Sequence, residues 1–198
     1  MILIEDSPVA LAALPVEKFK AHLRLGTGFS DGDVQDPVLE GFLRAAIGAI
    51  EARTGKALIE RAFTWTLSAW RDQSGQVMPI APVTGITGVV MRDAGGDESV
   101  VDASAYRLEE SAVRPVLRPV GALLPAIPTG GSAVISFTAG MAEEWGGLPA
   151  DLGQAVLLLA AHYHEYRHET ALGGGCMPFG VTSLIERYRS MRLFMGSA

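Results

Sequence analysis

Cysteine is nearly missing from this chain. Cys176 stands alone among 198 residues, so neither an internal disulfide nor a thiolate metal cluster can form, and the chain fits a reducing compartment. Positive charge is also short, with 16 Lys and Arg against 22 Asp and Glu and a net charge of −6. That balance argues against a module that grips nucleic acid by neutralising phosphates. Long apolar runs are missing too: Ala155 to Ala161 is among the longest, far below the ~20 residues that span a bilayer. The first residues, MILIEDSPVALAAL, carry Glu5 and Asp6 where a secretory leader would carry positive charge. A cytoplasmic-type product with no membrane contact is expected. Internal repeats and low-complexity tracts are absent. What remains is 48% hydrophobic and 19% charged, the profile of a globular protein rather than a disordered, collagenous or coiled-coil one.

The hydrophobic period changes twice along the chain. VEKFKAHLRL places Val16, Phe19 and Leu23 at helical spacing and is followed by Gly26. A longer helix is predicted from Asp36-Pro37, with Asp36 as cap, Pro37 in the first turn, Leu39, Leu43, Ala46 and Ile50 on one stripe, and Gly55 as the stop. From Glu60 the period becomes two. RAFTWTLSAW alternates Phe63, Trp65 and Leu67 with Thr64, Thr66 and Ser68, the pattern of a half-buried strand. QVMPI, GITGVVMRD, the Tyr106 to Leu108 region, AVRPVLRP and AVISFTAG follow, separated by Gly, Pro and Asp turns. Helical spacing returns at Pro149-Ala150-Asp151 and runs through AVLLLAAHYHEYRHETAL to Gly173. A last helix is predicted from Ser183, where Ser183-x-x-Glu186 matches a capping box, with Leu184, Tyr188, Met191 and Met195 on one stripe. The order predicts an α+β fold. The N- and C-terminal helices form a bundle (about 9–58 and 148–198), and an antiparallel β lobe (about 59–141) is inserted into this single domain.

One catalytic pattern occurs. His164-Glu165-Tyr166-Arg167-His168 reads H-E-x-x-H, which on a helix sets two imidazoles on one face to hold zinc while Glu165 serves as general base. Glu186 lies at a plausible distance to be a third ligand. This defines one reading, a small zinc hydrolase using His164, His168 and Glu186. The bland reading is that the histidines are helix-surface or packing residues. Phosphate loops and nucleophile elbows find no support: Gly26-Thr27-Gly28 and Gly173 to Gly175 lack the P-loop Lys-Ser/Thr, and no Ser is framed as G-x-S-x-G.

The final segment is basic and amphipathic within an acidic chain. Arg187, Arg189 and Arg192 face Glu186 alone, on a helix preceded by three glycines. Periodicity leaves open whether it packs on its own core or docks into a partner's groove.

Four blocks in order carry a resemblance: VEKFKAHLRL (Val16 to Leu25), FLRAAIGAIEARTGKALIERAFTWTL (Phe42 to Leu67), VISFTAGM (Val134 to Met141) and LPADLGQAVLLLAAHYHEYR (Leu148 to Arg167). Together they resemble the head-tail connector (adaptor) proteins of tailed bacteriophages, particularly the group with an inserted β region, and also the adaptors of gene transfer agents. The long helix of that family commonly carries a His-aromatic pair followed by Glu and Arg. Here these are His162, Tyr163, Glu165 and Arg167, which leaves His164 and His168 where the family uses no fixed histidine and makes the H-E-x-x-H accidental. The resemblance implies a non-enzymatic structural protein of the particle's head-tail interface, assembled in the bacterial cytoplasm and needing no cofactor. It implies a homo-oligomeric ring, usually of twelve, bound to the portal protein, extending the channel through which DNA passes without sequence-specific contact and offering a platform for a tail or stopper protein. Candidate portal contacts are Leu184, Arg187, Tyr188, Arg189, Met191, Arg192, Phe194 and Met195. A scaffold present only during particle maturation is a third reading.

Overall fold

A computed structural model describes residues 1–25, 32–167 and 177–189 of the chain. Its elements fall into two compact units, one of Met1–Ala10 with Lys56–Glu144 and one of Leu11–Gly55 with Trp145–Ala198. The architecture is α+β, a helical bundle with an antiparallel β lobe inserted in its sequence.

The β unit opens with β1 (Ile2–Glu5) and continues with β2 (Arg61–Leu67), β3 (Gln76–Val77), β4 (Val83–Arg92), β5 (Glu98–Val100), β6 (Tyr106–Glu109), β7 (Val116–Pro119) and β8 (Ser132–Ala139). Five strands form one antiparallel sheet in the order β1-β2-β8-β4-β5, and the other three form a second in the order β3-β7-β6. Period-two patterning explains the first sheet. In β2, Phe63, Trp65 and Leu67 are buried while Ala62, Thr64 and Thr66 are half-exposed, and β8 repeats the pattern with Ala133, Ile135 and Phe137 inside. Phe63 stacks on its cross-strand partner Phe137 with centroids 5.6 Å apart. Met78, Leu117 and Leu124 join the same core. Two short strands, β1 and β5, went unread in the sequence: ILIE does not alternate, and β5 has only three residues, all exposed.

The two ends of the lobe lie against each other. Glu60 N–H donates to the Ala142 carbonyl at 2.8 Å and Met141 N–H to the Ala57 carbonyl at 3.0 Å. Gly140 makes this possible, because a Cβ there would lie 2.2 Å from Glu60 Cα. At the sheet edge, Arg61 pairs with Glu5 at 2.8 Å and lies over the Phe63 ring at 4.9 Å, tying β1 to β2.

The helical unit comprises α1 (Val16–His22), α2 (Gly32–Thr54), α3 (Ala150–Glu165) and α4 (Phe179–Ile185). The predicted α2 stripe is the buried one: Leu39, Leu43, Ala46 and Ile50 are at most 1% exposed. Three boundaries differ from the sequence reading. The α2 helix begins at Gly32 and takes Pro37 inside it; Asp36, instead of capping, forms a 2.6 Å ion pair with Lys20 that joins α2 to α1 and raises the Lys20 pKa. The α3 helix ends at Glu165, where Tyr166 N–H closes back on the His162 carbonyl, rather than continuing toward Gly173. The α4 helix begins after Pro178, not at Ser183, because Val181 and Ile185 are its fully buried anchors and Ser183 sits exposed between them.

Glycine substitutions separate close approach from simple flexibility. Gly140→Ala is expected to lower unfolding stability by roughly 1–3 kcal/mol through the forced backbone clash. Gly48→Ala, on exposed α2 surface with nothing within 4 Å of a new Cβ, is expected to raise it by about 0.5–1 kcal/mol. Urea unfolding of the two variants checks both signs.

Candidate interaction surface

Those predicted functional residues that are described lie in the helical unit, at the end of α3 and in α4 with the turn beyond it. At the end of α3, the His164 ring meets Phe42 of α2 edge-on at 5.7 Å, and Arg167 donates to the His164 carbonyl at 3.0 Å with its guanidinium 3.2 Å from Nε2. Burial, and then the Arg167 charge, hold the His164 pKa below its ordinary value. His162 packs on Tyr166 at 4.7 Å, and burial pushes the Tyr163 hydroxyl pKa up. Glu165 is exposed as the last helical residue.

These facts bear directly on the H-E-x-x-H pattern. The zinc geometry needs both imidazoles on one continuous helix, whereas α3 stops at Glu165 and turns at Tyr166 and Arg167. A cation stands beside Nε2 of His164. Glu186, the suggested third ligand, accepts from Arg189 at 3.1 Å. His168 lies outside the described residues. Among the described residues, no three His, Cys, Asp or Glu side chains come together to hold a metal ion.

The C-terminal segment packs on its own unit as far as it is described. Val181 and Ile185 are buried, and the 3-10 turn Glu186–Tyr188 is latched to the start of α3. Tyr188 donates its hydroxyl to Asp151 Oδ1 at 2.8 Å, Arg187 pairs with Asp151 Oδ2 at 2.8 Å, and the Arg187 guanidinium lies 4.7 Å over the Tyr188 ring. Burial is the main reason the Tyr188 pKa is raised. Of the candidate partner contacts, Leu184 and Tyr188 are thus half-buried, and Arg187 and Arg189 are exposed but paired within the unit. Met191, Arg192, Phe194 and Met195 lie outside the described residues.

Two surface features escaped the sequence reading. Phe179 is 87% exposed at the first position of α4; Pro178 before it was the available signal of a helix start, and Val181 and Ile185 take the core. A groove of about 260 Å³ lies between α1 and the start of α3, lined by Lys18, Trp145, Leu148, Gln154 and Leu157. Gly153 sits beneath the Trp145 ring, with room for a Cβ at 3.4 Å. The groove lining mixes the charged and polar Lys18 and Gln154 with the apolar Trp145, Leu148 and Leu157.

The depressed His164 pKa has a definite sign. Below pH 6.5, the ordinary histidine value, the unfolded chain takes up a proton that folded His164 resists. Its contribution is therefore intact above that pH and is lost as pH falls through the folded pKa. His164→Gln is expected to flatten this acid-side decline, read as the urea midpoint of wild type and variant between about pH 7.5 and about pH 5.

No family model matches the chain, and no curated relative matches it. Solved structures do. The chain is 50% identical to a chain in the neck of an empty gene transfer agent (GTA) particle computed with C6 symmetry, with a TM-score of 0.90 and 100% of both chains covered. It is 47% identical to a chain in the neck of a native GTA particle computed with C12 symmetry, with a TM-score of 0.85 and the same full coverage. A chain from the virion of a native GTA particle is 51% identical, with a TM-score of 0.86 and 99% coverage on both sides. Similarity this high, running from end to end across both the helical unit and the inserted lobe, means that the chain belongs to the head-tail connector (adaptor) family of gene transfer agents.

Proposed function

We propose that this protein is a non-enzymatic adaptor of the particle neck: copies form a ring on the portal, extend the DNA exit channel and offer the platform on which a tail or stopper protein assembles. The observation that carries the reading is the full-length likeness, near half identity, to chains of GTA necks computed with C6 and C12 symmetry. Twelve copies suit the higher of those symmetries. The third relative comes from a native virion, which favours a component of the finished particle over a scaffold that leaves it.

Charge supports passage of DNA rather than its capture. Twelve chains of net charge −6 carry about −72, and a bore lined by part of that charge repels the duplex and keeps it sliding. Portal contact is assigned to the basic C-terminal end. Arg187 and Tyr188 hold α4 to α3, so the portal contacts assigned to this end are the apolar Leu184, Met191, Phe194 and Met195 together with Arg189 and Arg192. The residues His162, Tyr163, Glu165 and Arg167 serve this reading as packing and helix-end groups of the bundle. The hydrolase reading loses its shared helix face, because α3 ends three residues before His168.

The test is electron microscopy of the purified protein mixed with the portal of the same particle. A ring of added density with the portal's symmetry is expected, and a bare portal overturns the adaptor reading. A truncation after Arg189 keeps the buried Val181 and Ile185 and is expected to fold yet leave the portal bare; unchanged ring density would remove the C-terminal assignment alone.

A further inference from the structure

The five-stranded sheet has two faces of different chemistry. One carries Phe63, Trp65, Ile135 and Phe137 into the core. The register of the strands fixes what lies on the other. One row runs across all five strands as Ile2, Thr66, Val134, Val90 and Val100. The next runs as Ile4, Thr64, Ser136 and Gly88, and a third as Ala62, Thr138 and Gly85. None of these residues is buried; Ile2, Ile4 and Val100 are 60%, 52% and 81% exposed.

The one charged residue these three rows reach is Asp6, at the β1 end of the third, where its N–H donates to the Ala62 carbonyl at 3.0 Å. A sheet face left to water usually carries long charged or polar side chains, and 19% of this chain is charged. Charge appears at the borders, already neutralised or occupied. Arg92 and Glu98 form an ion pair at one end, and Asp6 accepts a hydrogen bond from Thr64 at 2.9 Å at the other. Thr84 and Thr138 satisfy each other's hydroxyls at 2.9 Å. An uncharged centre with a polar rim is the composition of a protein interface, depleted of charge where water is excluded. The rows also end in an unprotected strand edge, β1, with three aliphatic residues and no bulge or lysine to discourage pairing.

We infer that this outer sheet face, with β1 at its edge, is the surface on which the neighbouring copy of the same chain sits in the ring. The inference rests on the ring reading proposed above. Charge selects this occupant. The passing duplex needs unpaired cations, and the face has one cation at its border, spent on Glu98. A basic partner needs several acidic groups, and the rows offer Asp6 alone, at their edge. A second chain of net charge −6 meets a nearly uncharged face without like-charge repulsion at the contact. Ring contacts are heterologous, so each copy offers this face once and contributes a different surface to the next.

Photo-crosslinking in assembled particles tests the assignment. A benzophenone amino acid is placed at Val100, or at Thr66 in a second variant, and particles are irradiated. Both sites lie on the first row, and Val100 is exposed enough to accept the probe without touching the core. A ladder of crosslinked multiples of this chain is expected. A crosslink to a different component, or no crosslink while the chain is present in the particle, overturns the assignment of this face and leaves the ring reading standing. Absence of the chain from purified particles overturns the ring reading itself. As a second measurement, Ile2→Lys with Val100→Lys is expected to cut incorporation into particles by at least about tenfold, whereas Val120→Lys, exposed in the lobe but off these rows, leaves it unchanged. Equal incorporation of both also overturns the proposal.

Discussion

The antiparallel pairing of β2 with β8 is the constraint on which the rest of the protein depends. The chain leaves the helical unit at Gly55 and re-enters it at Trp145, and the strands that begin and end the intervening stretch pair from Arg61 with Ala139 to Leu67 with Ala133. Bringing together residues this far apart carries a loop-closure cost. Several interactions offset it at one place: the Phe63–Phe137 stack, the backbone hydrogen bonds of Glu60 and Met141, and the missing side chain at Gly140. Once the ends are joined, a lobe of this length is topologically equivalent to a short loop between α2 and α3. The helical unit can then close its core through α2, α3 and α4 irrespective of what the lobe carries.

The sequence exposed whatever depended on a sustained period. The β2 and β8 strands alternate over seven and eight residues, and the α2 stripe recurs over three turns, so both faces were legible in the sequence. What failed to show was set by single long-range partners. Asp36 looked like a helix cap because nothing local revealed Lys20 as its counterion. Ser183 and Glu186 had capping-box spacing, but the burial of Val181 and Ile185 decided where α4 begins. The H-E-x-x-H pattern was the most instructive case: the residue types were right, and the end of the helix at Glu165 removes the shared face that gives the spacing its meaning. The edge strand β1 was invisible for a different reason. All four of its residues are exposed, so it has no buried face to impose a period.

The C-terminal segment resolves a choice that periodicity left open by dividing it. Its first part is held by apolar burial at Val181 and Ile185 and by the grip of Tyr188 and Arg187 on Asp151. Asp151 belongs to the first turn of α3, where a carboxylate is already favoured by the helix dipole. Two donors from the segment therefore close on a charge that the fold needs there anyway. The arginines that gave the segment its basic appearance are consequently engaged at Arg187 and Arg189 before any partner arrives.

The acidic excess and the neutral sheet face belong to one balance. A net charge of −6 opposes the approach of free copies, and a nearly uncharged face of small and aliphatic residues contributes modest attraction per contact, since Thr, Ser, Gly and Ala bury little apolar area each. Two isolated copies then gain little by meeting. In the proposed ring, each copy is positioned by the portal, so its contact with the next copy becomes effectively intramolecular and a weak face suffices at high effective concentration. A strong hydrophobic face would have removed the dependence on the portal and allowed copies to polymerise in solution through the same edge strand. In the proposed ring, the weakness of the face would couple ring formation to the presence of the platform.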